Sequence, residues 1–180
     1  MVDFKQKEKY DINDLLEIMR LLRAPGGCPW DAQQTHMSIR KNLIEETYEV
    51  IEAIDKDDKE LMTEELGDLL MQVVFHAQME QEAGNFDFGD VTDGVCKKLI
   101  ERHPHVFGEV EVSGVGDVLN NWDAIKRRSK GQKKGSEPML SIPRELPALM
   151  RATKIQQKAA AVGFDSVSYT HLTLPTSDLV

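Results

Sequence analysis

Residues 43–54, LIEETYEVIEAI, and residues 64–77, EELGDLLMQVVFHA, decide the fold. Leu43, Ile44, Val50, Ile51 and Ile54 recur at helical spacing in the first, and Leu66, Leu69, Leu70, Val73, Val74 and Ala77 in the second. Residues three and four apart share one side of an α-helix. Each stretch also carries two carboxylates at that spacing: Glu46 and Glu49, then Glu65 and Asp68. At about 100° per residue, both pairs border their apolar arc with the same offset. Asp55-Lys56-Asp57-Asp58 between them reads as a turn, with Asp57 as N-cap and Glu60 three residues on. So short a turn makes the helices antiparallel neighbours. Counted from Lys56, Glu49 lies seven residues back and Glu65 nine forward, while Glu46 lies ten back and Asp68 twelve forward. At a rise of ~1.5 Å per residue, each pair is level to within about 3 Å. Four carboxylates thus meet at one level of a helical hairpin.

Left alone, such a cluster repels itself and raises its own pKa values. A cation relieves both effects. An all-oxygen donor set favours a hard divalent ion, Mg²⁺ or else Mn²⁺. The di-iron carboxylate pattern requires Glu-x-x-His. Here the +3 positions hold Glu49 and Asp68, so iron is disfavoured.

The remaining pattern is helical as well. Asp11 to Arg23 is amphipathic, with Ile12, Leu15, Leu16, Met19 and Leu22 inward. Ala24-Pro25-Gly26-Gly27-Cys28-Pro29 breaks it, and Trp30 to Met37 reads as a polar loop. Thr35 or Ser38 caps the next helix, expected over Ser38 to Ile54. The long helix that follows runs to Ala83, with Gly84 at its C′ position. Further helices are expected over Phe88 to Glu101, Asp117 to Ser129 and Glu145 to Ala161. Val110 to Gly116 reads as loop, and Val110-Glu111-Val112 is too short to count as a strand. The fold class is all-α, a bundle built on the hairpin.

A chain of 180 residues with 41% hydrophobic content is one domain, or one with an extension. Its net charge of −9 argues against a nucleic-acid binder that works by neutralising phosphates, but leaves room for a basic pocket for a small anion. Two cysteines, Cys28 and Cys96, make no disulfide framework. There is no apolar leader after Met1 and no run of the ~20 apolar residues that a membrane span needs, so a cytoplasmic location is expected. Residues 166–180 leave the helical pattern. Ser166 to Thr176 resembles a one-frame translation of a sequencing-library adaptor, and the tail is expected to be an assembly scar, the natural chain continuing past Asp165.

The hairpin motif, Glu46-x-x-Glu49, fifteen residues, then Glu65-x-x-Asp68, is the hallmark of a known family. With Gly27-Cys28-Pro29-Trp30-Asp31 and Glu101-Arg102-His103-Pro104-His105-Val106-Phe107-Gly108, it resembles the MazG family of all-α nucleoside triphosphate pyrophosphohydrolases. The resemblance covers about residues 10–165 and places one MazG-like domain over 1–130, while the Gly-, Lys-, Ser- and Pro-rich composition from Lys130 to Pro138 marks a linker, taken over 131–144. Leu146 to Ala152 and Gly163-Phe164-Asp165 look like the opening of a second copy, over 145–165, without its metal motifs.

The resemblance implies Mg²⁺-dependent cleavage of a nucleoside triphosphate to the monophosphate and pyrophosphate, a nucleotide-pool house-cleaning reaction. It implies Glu46, Glu49, Glu65 and Asp68 as metal ligands, with Glu45 or Glu49 as general base. It also implies a homodimer whose paired helices complete the bundle. Lys98 and Arg102, four apart on one helix face, are candidates for phosphate contact, as is Lys126. Trp30 and Trp122 are candidates for stacking on the base. His103 and His105 read as structural groups flanking Pro104, and His36 and His76 have no role carried over. The competing reading is a non-catalytic helical module that binds metal and nucleotide and regulates a partner.

Overall fold

The computed structural model describes residues 4–129, 142–161 and 163. Its helices are α1 (Ile12–Arg23), α2 (Pro29–Gln33), α3 (His36–Asp55), α4 (Lys59–Glu82), α5 (Phe88–Arg102), α6 (Pro104–Phe107), α7 (Val115–Ser129) and α8 (Ala148–Ala161). No strand occurs among the described residues, and the chain is all-α as expected. It divides into two compact units, residues 1–98 and 99–180. Of the linker expected over 131–144 only residues 142–144 are described, and the tail over 166–180 lies outside the described residues.

In the first unit, short polar side chains start each long helix. Asp11 Oδ1 accepts from the backbone N–H groups of Asn13 at 2.8 Å and Asp14 at 3.2 Å, while Asp14 Oδ2 accepts from the Asp11 N–H at 2.9 Å. Lys7 reaches the same Asp14 carboxylate at 2.5 Å and holds it below the usual carboxylate range. Thr35 caps α3, and Ser38 returns the bond to the Thr35 N–H at 2.9 Å. The cap of α4 differs from expectation: Asp58, not Asp57, accepts from the Leu61 N–H, at 3.0 Å. Asp57 instead takes a left-handed backbone, φ +52°, and makes the turn itself. Asp tolerates that conformation better than most residues with a Cβ. Gly84 ends α4 at φ +75°, as a C′ glycine does.

α3 packs along α4, and α1 packs against α4. Met19, Ile39, Val74, Phe75 and Met79 form the buried centre, with Leu15, Leu16, Met71 and Phe88 around it. The apolar arc of the hairpin is only partly used there. Val50, Val74 and Ala77 are buried, but Ile44, Ile51, Ile54, Leu66, Leu70 and Val73 are exposed, Ile54 to 55%. The expectation that all of these point inward is corrected for the single chain: one thin hairpin has more apolar surface than α1 can cover.

The stretch 30–37, expected as loop, is partly helical: 30–33 lie in the one-turn helix α2, and His36 and Met37 already belong to α3, which starts two residues before the expected Ser38. Pro29 at the first position of α2 presets the helical φ and forfeits only an N–H that would bond to nothing. Arg23 fixes this turn. Its Nη1 donates to the carbonyls of Asp31 at 2.6 Å and Gln34 at 3.3 Å, and its Nε and Nη2 donate to Glu82 at 2.9 and 2.8 Å. The Arg23 guanidinium also lies 5.3 Å over the Phe75 ring and holds the Glu82 carboxyl below its ordinary range.

In the second unit, α6 is again a single turn begun by proline, Pro104, which sequence periodicity is too short-sighted to find. α8 starts at Ala148 rather than Glu145, because Leu146 precedes a proline and is steered out of the helical region. The Pro147 carbonyl accepts the first helical bond, from the Arg151 N–H at 2.9 Å.

Candidate functional site

The hairpin carries its acids to one place. Glu46 and Glu49 stand one turn apart on α3, and Glu65 faces them from α4. Each of the three offers a carboxylate oxygen within 4.8 Å of the other two. Asp68, one turn along α4 from Glu65, lies outside this close group, but its charge acts on both Glu46 and Glu65. Glu45 is exposed on α3 and does not join them.

The acids disturb one another as like charges must. Burial pushes the Glu46 carboxyl above its ordinary 4.5, and Asp68, Glu49 and Glu65 push it further. Glu65 is raised by the same means, burial first, then Glu49, Glu64, Asp68 and Glu52. Each raised carboxyl binds its proton more tightly folded than unfolded. Its contribution to stability is therefore greatest below pH 4.5 and is lost as pH rises through the folded value. Glu46→Gln removes that loss. In the presence of a chelator the melting temperature of Glu46→Gln relative to wild type should climb as pH goes from 4.5 to neutrality. A relative stability that is flat or falls over this range would contradict the coupling. Three clustered carboxylate oxygen donors fit a hard divalent cation.

The other expected residues are placed as follows. Trp30 stands on α2, 59% exposed. Lys98 is exposed on α5. In the second unit the Arg102 guanidinium lies 5.7 Å over the Trp122 ring, so this pair comes together as a cation–π contact. Lys126 is on α7, and its side chain lies outside the described residues. The His103 Nδ1 lies 2.6 Å from the Leu99 carbonyl, in keeping with a structural role.

Two features escaped the sequence. His36 Nε2 meets Glu80 at 2.7 Å, and His36 Nδ1 meets His76 Nδ1 at 2.7 Å, which ties the start of α3 to the second half of α4. Burial pushes His76 down, and His36 adds to the effect. These residues are forty apart in the chain, and only the hairpin register joins them. The second feature is Gln72, whose Nε2 lies 3.5 Å from Glu46 Oε1. It sits four residues after Asp68 and seven after Glu65, so the spacing along α4 was a usable signal.

Known proteins resemble this chain in sequence and fold. Residues 34–107 match the model of the MazG nucleotide pyrophosphohydrolase domain, a span that holds the whole hairpin. The chain is 50% identical over 155 residues to a nucleoside triphosphate pyrophosphohydrolase of Escherichia coli K12, covering 86% of this chain and 59% of that protein. It is 49% identical over 152 residues to the nucleoside triphosphate pyrophosphohydrolase/pyrophosphatase MazG of Thermotoga maritima, covering 84% of this chain and 58% of that one. The chain thus spans somewhat under two thirds of the length of these relatives. Among solved structures, a mazG-related protein from Thermotoga maritima superposes with a TM-score of 0.55 at 29% identity, over 64% of this chain and 99% of its own. The paired acids of its helical hairpin lie inside the span matched by the domain model, so residues 34–107 of this chain are identified as a MazG nucleotide pyrophosphohydrolase domain.

Proposed function

We propose that this chain hydrolyses nucleoside triphosphates to the monophosphate and pyrophosphate at the acidic face of the α3–α4 hairpin. The observation that carries the reading is the convergence of Glu46, Glu49 and Glu65, with Asp68 beside them. Glu46, Glu49, Glu65 and Asp68 would hold Mg²⁺, or Mn²⁺ in its place. When bound, such an ion offsets phosphate charge and acidifies water. Glu49, inside the close group, is the better placed general base; Glu45 is the other candidate, from its exposed position on α3. A base must come within hydrogen-bond reach of the proton it takes. In the same unit, Trp30 offers an exposed ring for the base and Lys98 an exposed cation for the phosphates. The names of the relatives, nucleoside triphosphate pyrophosphohydrolases, support the substrate class, and removal of unwanted nucleotides from the pool is the role that fits it. No helix among the described residues is long and apolar enough to cross a membrane.

The test is a product assay on the purified chain with mixed nucleoside triphosphates and Mg²⁺. Monophosphate with pyrophosphate, abolished by EDTA, is expected. Diphosphate with phosphate would overturn the reaction. Nucleotide binding without turnover would favour the regulatory module over the enzyme.

The exposed apolar face of the hairpin supports a homodimer. Ile44, Tyr48, Ile51 and Ile54 on α3, with Leu66, Leu70 and Val73 on α4, lie open along its length. A face of this kind marks an interaction surface. A second hairpin laid on it would complete a four-helix bundle. Replacing Ile51 and Leu70 together by Glu should shift the sedimentation coefficient from dimer to monomer. A monomeric wild-type chain at micromolar concentration would refute the pairing.

A further inference from the structure

We infer that Gln72 is a positioning residue of the carboxylate site, its buried side-chain amide donating to Glu46 and fixing that carboxylate for a divalent cation. The inference rests on reading the hairpin acids as a metal site. Gln72 is 4% exposed and lies on α4 beside Val74 and Phe75, at 1% and 4%. It is thus as buried as the apolar core residues next to it in sequence, although its own stripe of the helix carries the acids. Its Nε2 lies 3.5 Å from Glu46 Oε1, a long contact to a charged acceptor. Its own Oε1 is buried and has no hydrogen-bond partner among the described residues.

The orientation of the amide follows from the partner. Turned over, the group would set its carbonyl oxygen against a carboxylate oxygen, two acceptors facing each other. With Nε2 toward Glu46, one end is satisfied and the other is not. Packing alone does not favour that choice, since a methionine fills nearly the same volume with no amide to desolvate. What the amide adds is a donor without charge. A lysine or arginine at this position would also hold Glu46, but it would compete with the cation for it. A neutral donor fixes the plane of the carboxylate and leaves its full charge for the metal. The register agrees, because Glu65, Asp68 and Gln72 occupy one stripe of α4. Groups that orient metal ligands by hydrogen bonds commonly shift metal affinity ten- to a hundredfold.

The test is direct titration of the full chain with Mn²⁺, reading free ion by its paramagnetic resonance signal, alongside thermal melts in chelator. Gln72→Met is expected to weaken Mn²⁺ binding about tenfold or more, with the metal-free melting temperature unchanged or raised. A merely structural glutamine would move the melt and not the affinity. Wild-type affinity in Gln72→Met overturns the inference. If wild type itself takes up no Mn²⁺, the metal reading falls and the inference with it, so the two failures are distinguishable. Should Gln72→Met not fold, Gln72→Asn serves in its place: it keeps the amide but is one methylene too short to reach Glu46. The same loss of affinity is expected, and an unchanged affinity refutes the role.

Discussion

Glu49→Gln and Asp68→Asn are each expected to lower nucleotide hydrolysis by more than about a hundredfold, the upper end of what altering a group merely supporting the ligands costs. Both substitutions keep the shape of the side chain and remove one negative charge. Glu49 belongs to the group of three whose oxygens come within 4.8 Å, so the amide there strips a donor from its centre. Asp68 stands just outside that group but sends its field into it, as the raised Glu46 and Glu65 carboxyls record. Helix content should not change, because neither side chain belongs to the buried centre around Val74 and Phe75. Metal-free stability should hold or rise, since each variant relieves repulsion among the remaining acids. Loss of turnover together with undiminished stability distinguishes a functional cluster from a structural one. Turnover at the wild-type rate in both variants would remove these acids from the mechanism.

The hairpin was legible because two independent periodicities agreed. The apolar arcs set the faces, and the acids at i and i+3 shared one offset and one height on two helices. Their convergence at Glu46, Glu49 and Glu65 is what that geometry requires. The start of the first helix at Asp11 was legible. At α3, Thr35 and Ser38 stood as rival caps and the structure uses both, Thr35 as the cap and Ser38 as its reciprocal partner, so that the helix begins at His36 instead of Ser38. At the α3–α4 turn two aspartates compete. The choice of Asp58 as cap follows only once Asp57 takes up positive φ, which depends on how the chain closes the turn. One-turn helices such as α2 and α6 are too short to show a period. The outward Ile51, Ile54 and Leu66 were misplaced because periodicity says which residues share a face, not whether one chain suffices to cover it. The Arg23 contacts and the His36–His76–Glu80 contact depend on side chains brought from distant positions, and no local pattern encodes them, whereas the place of Gln72 on the acidic stripe of α4 was readable from its spacing.

The turn after α1 supplies the sharpest stability prediction, because it separates two adjacent glycines by mechanism. Gly26 has φ +85° with open space where a Cβ would stand. An alanine there pays only for a left-handed backbone, about 1–2 kcal/mol. At Gly27 a Cβ would fall well under 3.0 Å from the carbonyl oxygens of Leu21 and Leu22, and 2.8 Å from the Leu22 carbonyl carbon. Those atoms are backbone in the last turn of α1, and the Cys28 N–H is bonded to the same Leu22 oxygen at 2.7 Å. They cannot swing aside as a side chain would. Gly27→Ala must therefore push Cys28 away from α1 and carry α2 with it. It would strain the bonds from Arg23 to the Asp31 and Gln34 carbonyls that hold this segment against Glu82. The expected loss is about 3 kcal/mol or more, in the range of forced overpacking. Urea denaturation should place the midpoint of Gly27→Ala well below that of Gly26→Ala, with similar slopes for both. The reverse order would mean that the turn relaxes without cost at Gly27. In the expected order, Trp30 is held by a chain of contacts that begins at a hydrogen atom where no methyl group fits.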